Sequence, residues 1–213
     1  MSMTLGLRDQ KKLQTRARLA RAAMALVSER GYPHVTIADI ADAAGVSRRT
    51  FSNYFSSKAE CLIEVNEAEA AQVLPTILAD TSDAPIGKRV AKALAGFSDS
   101  FWADCAALYQ LREQEPEVLS ALARAEVQHG AEFAAEIVEL SDGAIDPLRM
   151  RVTIAAVQAA VMACLDYWLD HGSTGGTRGL ADLLDRTLSV IDLSWLDEYR
   201  ELVRDNLAHR SER

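Results

Sequence analysis

The 213-residue sequence predicts an all-α chain, a small amino-terminal unit of three helices joined to a larger helical body. Three observations carry that expectation. Apolar residues recur at i, i+3, i+4 and i+7 in segment after segment, and no run alternates with the period of a strand. A cap residue, a glycine or a proline bounds each segment. Charge is also divided between the two parts. Residues 1–60 hold ten Lys and Arg against five Asp and Glu, a net +5, so the whole-chain net of −8 leaves −13 on residues 61–213.

Gln10 to Arg30 reads as the first helix, with Leu13, Ala17, Ala20, Ala23, Met24 and Val27 on an inward stripe. Arg16, Arg18 and Arg21 lie elsewhere on its surface, and Gly31 ends it. Ile37, Ile40, Ala41 and Ala44 form the stripe of a short second helix, opened by the T-x-x-D signal of Thr36 and Asp39. Gly45 closes it, because glycine takes the left-handed conformation most cheaply, and Ser47 caps the next helix. Val46, Phe51 and Phe55 then point inward. Arg48, Arg49, Thr50, Ser52, Asn53 and Tyr54 are left outward, a mixture of guanidinium, hydroxyl, amide and phenol that suits phosphates and base edges. This is a helix-turn-helix with its reading helix second.

Ser57 and Glu60 form a capping signal of the type S-x-x-E, which opens a long fourth helix toward Leu78, with Pro75 kinking or shortening it. A loop at residues 80–85 precedes helices over Ile86–Phe101 and Ala103–Arg112, and Pro116 starts another that reaches about Leu140. Asp146 and Pro147 cap the most apolar helix, which runs to Tyr167 or His171. Ala155, Ala156, Ala159, Ala160 and Ala163 on it permit close approach by another helix. Ser173 to Thr177 is a loop, Leu180 to Ile191 one more amphipathic helix, and Ser194 with Asp197 caps the last.

A composition of 49% hydrophobic residues suffices for a packed core. The longest apolar run, Ile154 to Leu165, is broken by Gln158 and falls short of the roughly 18 residues of a spanning helix, so no membrane is expected. Met1 to Gln10 is too polar for a secretory leader. Cys61, Cys105 and Cys164 are an odd number without metal-ligand spacing, so neither a disulfide framework nor a metal site is expected, and the setting is cytoplasmic.

From Arg16 to Lys58 these residues resemble the TetR (tetracycline-repressor-like) family of bacterial transcriptional regulators. The likeness runs through the basic first helix, the Thr-led second helix, the turn Ala44-Gly45-Val46-Ser47 and the close Tyr54-Phe55-Ser56-Ser57-Lys58. The family often has Gly at the position of Arg49 and Tyr at that of Ser52. The resemblance implies a helix-turn-helix DNA-binding domain over 1–56 and a helical effector-binding and dimerisation domain over 57–213. It implies that Thr36, Thr50, Asn53, Tyr54 and Lys58 anchor phosphates, with Ser47 at the start of the reading helix. Arg48, Arg49 and Ser52 then lie nearest the base edges. Arg49 is the first choice for guanine, since a guanidinium donates twice to O6 and N7.

The same resemblance implies an effector pocket in the body. Its candidate lining is Phe97, Phe101, Trp102, Tyr109, Arg112, His129, Phe133, Met162 and Trp168, for a small and mainly apolar molecule. Each is also a plausible core residue. The implied partners are double-stranded DNA with a palindromic operator, a small-molecule effector and a second copy in a homodimer. The Leu148–Tyr167 and Leu180–Ile191 helices are its seam. No cofactor is expected. An enzyme is disfavoured, because Cys105, His129, Cys164 and His171 fall in no nucleophile elbow, CxxC or HExxH pattern. The alternative is a helical architectural DNA-binding or interaction protein that works without a ligand.

Overall fold

The computed structural model describes residues 7–173 and 175–211, and every regular element among them is helical. The side chain of Arg8, one of the ten basic residues of 1–60, and the residue Thr174, within the expected loop of Ser173 to Thr177, lie outside the described part. In chain order the helices are α1 (Leu7–Arg30), α2 (Ile37–Ala43), α3 (Arg48–Ser52), α4 (Lys58–Ile63), α5 (Glu67–Ala70) and α6 (Val73–Ala79). These are followed by α7 (Ile86–Ala95), α8 (Asp99–Gln114), α9 (Pro116–Leu140), α10 (Pro147–Asp170), α11 (Gly176–Leu188) and α12 (Arg200–Ser211). Single 3-10 segments stand at Tyr32–His34, Glu64–Asn66 and Ser194–Tyr199.

By packing, the chain forms two units. The head comprises the described residues through Ala70 together with Ser100–Ala125; the body comprises Ala71–Asp99 and the described residues from Glu126 onward. In the head, Leu19, Ala23 and Val27 of α1 meet Ile40, Ala41, Phe51, Phe55, Ala59 and Leu62, all buried, and Leu108 and Val118 join the same cluster. A division at 56/57 therefore runs through this core, with Phe55 on one side and Ala59 on the other. In the body, Leu140, Ile145, Met150 and Ile154 form one cluster, and Ile77, Ile86 and Leu193 another.

Three elements differ from expectation. The long fourth helix breaks at Glu64–Asn66 and again before Val73, which puts Pro75 at the third position of α6. The missing N–H of Pro75 then falls among the first four, which have no partner within a helix in any case. Gly96 ends α7, so Phe97 lies in the turn before α8. Ser194 caps no α-helix: its hydroxyl donates to Asp192 at 2.6 Å, and a 3-10 segment precedes α12.

The two helices expected at a seam use their faces differently. Leu180, Leu184 and Leu188 of α11 are buried, and α11 packs on α7 and α10 of its own protomer. Its outward positions are Arg178, Asp182 and Arg186. On α10, Leu148, Val152, Ala155, Ala159, Ala163 and Tyr167 are exposed along one side, with Leu148 at 70% and Val152 at 60%. By length and composition α10 could cross a membrane. Its mean hydropathy over 18 residues is 1.6, with a third of that window buried. The apolar character extends beyond the expected Ile154–Leu165 run because Thr153 and Gln158 interrupt it without adding charge.

Candidate nucleic-acid interface

The turn between α2 and α3 is built by local hydrogen bonding. Thr36 accepts from the Asp39 amide at 3.2 Å, and the Asp39 carboxylate accepts from the Thr36 amide at 2.8 Å, a reciprocal capping box. The Thr36 hydroxyl, which donates to the same carboxylate at 2.5 Å, and then the Thr36 amide hold the Asp39 carboxyl below the usual carboxylate range. Gly45 has φ +64°, which a side chain there would resist. Ser47 accepts from the Thr50 amide at 3.0 Å and starts α3. Phe51 and Phe55 are buried, with ring centroids 5.7 Å apart, and Val46 packs against the same core.

That burial settles which residues of α3 face solvent. Ser47, Arg48, Arg49, Ser52 and Asn53 are exposed, and Thr36 stands exposed at the start of α2. Thr50 and Tyr54 are half-buried. The arrangement can donate hydrogen bonds from two guanidinium groups, two hydroxyls and an amide along one face.

Lys58 is placed differently. Its ammonium donates to the Tyr32 carbonyl at 2.5 Å and the Val35 carbonyl at 2.8 Å, and lies 3.7 Å from the centroid of the Tyr32 ring. Burial pulls its pKa down. Glu60 likewise turns back, accepting from the Ser56 amide at 2.7 Å, while Ser57 caps the Glu60 amide.

Sequence reasoning missed Arg16. It makes two bonds of 2.6 Å to the Glu64 carboxylate, donates to the Tyr54 carbonyl at 3.2 Å and lies 4.7 Å over the Phe55 ring. These contacts clasp the end of the reading helix from α1. Glu64 holds the guanidinium protonated, raising its pKa against the cost of burial. The partner is 48 residues away, so only an unexplained arginine beside an apolar stripe could have signalled it.

The candidate effector residues divide between the units. In the head, Phe101 and Trp102 are buried edge to face at 5.1 Å, and the Arg112 guanidinium lies 3.9 Å over the Tyr109 ring. In the body, Phe97, His129, Phe133 and Met162 are half-buried and Trp168 is buried. The Trp168 indole N–H has no hydrogen-bond partner. A body groove of about 350 Å³ is lined by Asp80, Lys88, Arg89, Lys92, Asp182 and Asp185 among others, and by none of the nine. Cys61 and Cys105 are free thiols that burial pushes up to about 12, outside the range of a reactive thiolate. Among the described residues no group of three or more His, Cys, Asp or Glu could hold a metal ion.

Residues 19–65 match the family of bacterial regulatory proteins, tetR family. The HTH-type transcriptional regulator TcmR of Streptomyces glaucescens is 36% identical over 92 residues, 43% of this chain and 38% of that one. The HTH-type transcriptional regulator CymR of Pseudomonas putida is 38% identical over 58 residues, 27% of this chain and 29% of that one. The matched part thus spans well under half the length of either relative. Over most of its length the chain resembles in fold FadR of Thermus thermophilus, a TetR-family transcriptional repressor solved with lauroyl-CoA. That match has a TM-score of 0.52 at 24% identity and covers 82% of this chain and 92% of that one.

Proposed function

From an amino-terminal domain that belongs to the TetR family of bacterial regulators, we propose that this chain is a cytoplasmic, one-component transcriptional repressor. In this reading the helix-turn-helix within residues 1–56 binds a palindromic operator, and the body binds an effector and forms a homodimer. The observation that carries it is the reading helix itself, exposed at Arg48, Arg49, Ser52 and Asn53 and pinned from beneath by Phe51 and Phe55. The charge division supports it, since the net +5 on residues 1–60 against −13 on residues 61–213 keeps the attraction for phosphate on the segment that carries that helix.

A dimer follows from specificity, because one reading helix touches too few base pairs to distinguish an operator. The exposed side of α10 supports a seam there: its small residues permit close approach, and its Leu and Val gain from leaving water. The effector is taken to be small and mainly apolar, contacting body residues such as Phe133, Met162 and Trp168. The acyl chain of the lauroyl-CoA bound by FadR is a ligand of that character. Its binding would favour a head spacing that no longer fits adjacent grooves.

The test is a pair of titrations. Anisotropy of labelled DNA reads operator binding, and native tryptophan fluorescence reads titration with lauroyl-CoA as a probe. Repression and release require sequence-selective DNA binding that the probe weakens, with the reciprocal loss of probe affinity in the DNA complex. DNA binding without sequence preference and without response to apolar probes would favour the architectural alternative.

A further inference from the structure

Tyr32, Lys58 and Glu117 come together from three separate parts of the head. Tyr32 is 4% exposed and begins the 3-10 turn between α1 and α2. Its hydroxyl donates to the Glu117 carboxylate at 2.7 Å, in the first turn of α9. Burial and this carboxylate both raise the phenol pKa, so the phenol stays protonated and remains the donor. Lys58, the first residue of α4, closes the other side. Its ammonium takes the Tyr32 and Val35 carbonyls and sits on the Tyr32 ring. The Val35 amide in turn donates to the Tyr32 carbonyl at 3.3 Å, so Lys58 grips a turn that is also closed on itself.

We infer that Tyr32, Lys58 and Glu117 are positioning residues for DNA binding: together they tie the turn that leads into α2 and α3 to the starts of α4 and α9. The inference rests on the DNA-binding reading above and changes the role of Lys58 within it. An ammonium has three donors, and two are committed to carbonyls of the turn. A phosphate could be met only by the one remaining donor, on an ammonium already held in place by two carbonyls and the Tyr32 ring. Lys58 therefore acts through the orientation of Arg48 and Arg49 rather than as a phosphate contact. The start of α9 is a second control on that orientation, through a single hydrogen bond to a buried phenol.

The full-length protein and the variants Lys58→Met, Lys58→Arg, Tyr32→Phe and Glu117→Gln separate the possibilities, each first shown to be folded by circular dichroism. Amide exchange across Tyr32–Ala44, measured without DNA, is expected to quicken about tenfold in Lys58→Met, Tyr32→Phe and Glu117→Gln, the scale of losing one hydrogen bond to a charged group. Lys58→Arg should recover part of the protection. On selected DNA the same three variants should weaken binding about tenfold while the slope of log affinity against log salt stays that of the parent. A slope shallower by about one ion in Lys58→Met would make Lys58 a phosphate contact and overturn the inference. So would unchanged exchange in all three. Quickened exchange with no DNA binding by the parent protein would instead leave the positioning intact and reject the DNA-binding reading.

Discussion

At the scale of single residues, what α3 can recognise depends on side chains that the core leaves outward. Arg49 is exposed, and a guanidinium matches guanine O6 and N7. Arg49→Ala is expected to cost about 1–3 kcal/mol on the cognate site and to relax preference at one base pair of each half-site. Competition with scrambled DNA checks this; equal losses on both would leave Arg49 holding only phosphate. Asp39 gives a pH dependence of definite sign. Its folded pKa is depressed by the Thr36 side chain and then the Thr36 amide, so its contribution is complete above the ordinary carboxylate value of about 4 and fades as pH falls through the lower folded value. Melting followed from pH 5 down to pH 2 should show a gentler acid fall in Asp39→Asn than in the parent. An identical fall would remove Asp39 from the balance.

At the scale of elements, two substitutions probe the turn and the proposed seam. Gly45 has φ +64° with nothing within 4 Å of an added Cβ, so Gly45→Ala meets only backbone strain. It should cost about 1–2 kcal/mol in chemical denaturation. No cost would mean that the turn relaxes freely. Ala159 is exposed on α10, whereas Ala160 is half-buried, so Ala159→Arg should weaken a dimer while leaving the protomer folded. Sedimentation velocity reads the outcome, and an undisturbed dimer would move the seam off this face.

The helix-turn-helix was legible because its signals are local: the Thr36–Asp39 box, Gly45 and the Ser47 cap each act within four residues, and the structure holds all three. Pro116 and the Asp146-Pro147 pair marked the starts of α9 and α10 for the same reason. The long fourth helix was misread because its stripe continues past Glu64, and apolar spacing alone does not register a 3-10 break. What the sequence hid was pairing at a distance. Arg16 with Glu64, Tyr32 with Glu117 and Arg89 with Asp197 join residues 48, 85 and 108 apart. Nothing in local pattern announces a partner so far away. The apolar face of α11 looked available for a seam, but burial within the protomer claims it.

At the scale of the whole molecule, the proposed regulator needs two reading helices held at a fixed spacing, and the selected DNA sequence records that spacing. Selection of bound sequences from a random duplex pool, at moderate salt and with the full-length protein, reads it directly. The expected result is an inverted repeat with half-sites about one helical turn apart, about 10 base pairs centre to centre or a local modification of that spacing. The Arg49→Ala variant should lose preference at one symmetric pair of positions within it. A pool that stays flat through repeated rounds would contradict operator recognition by a two-fold dimer.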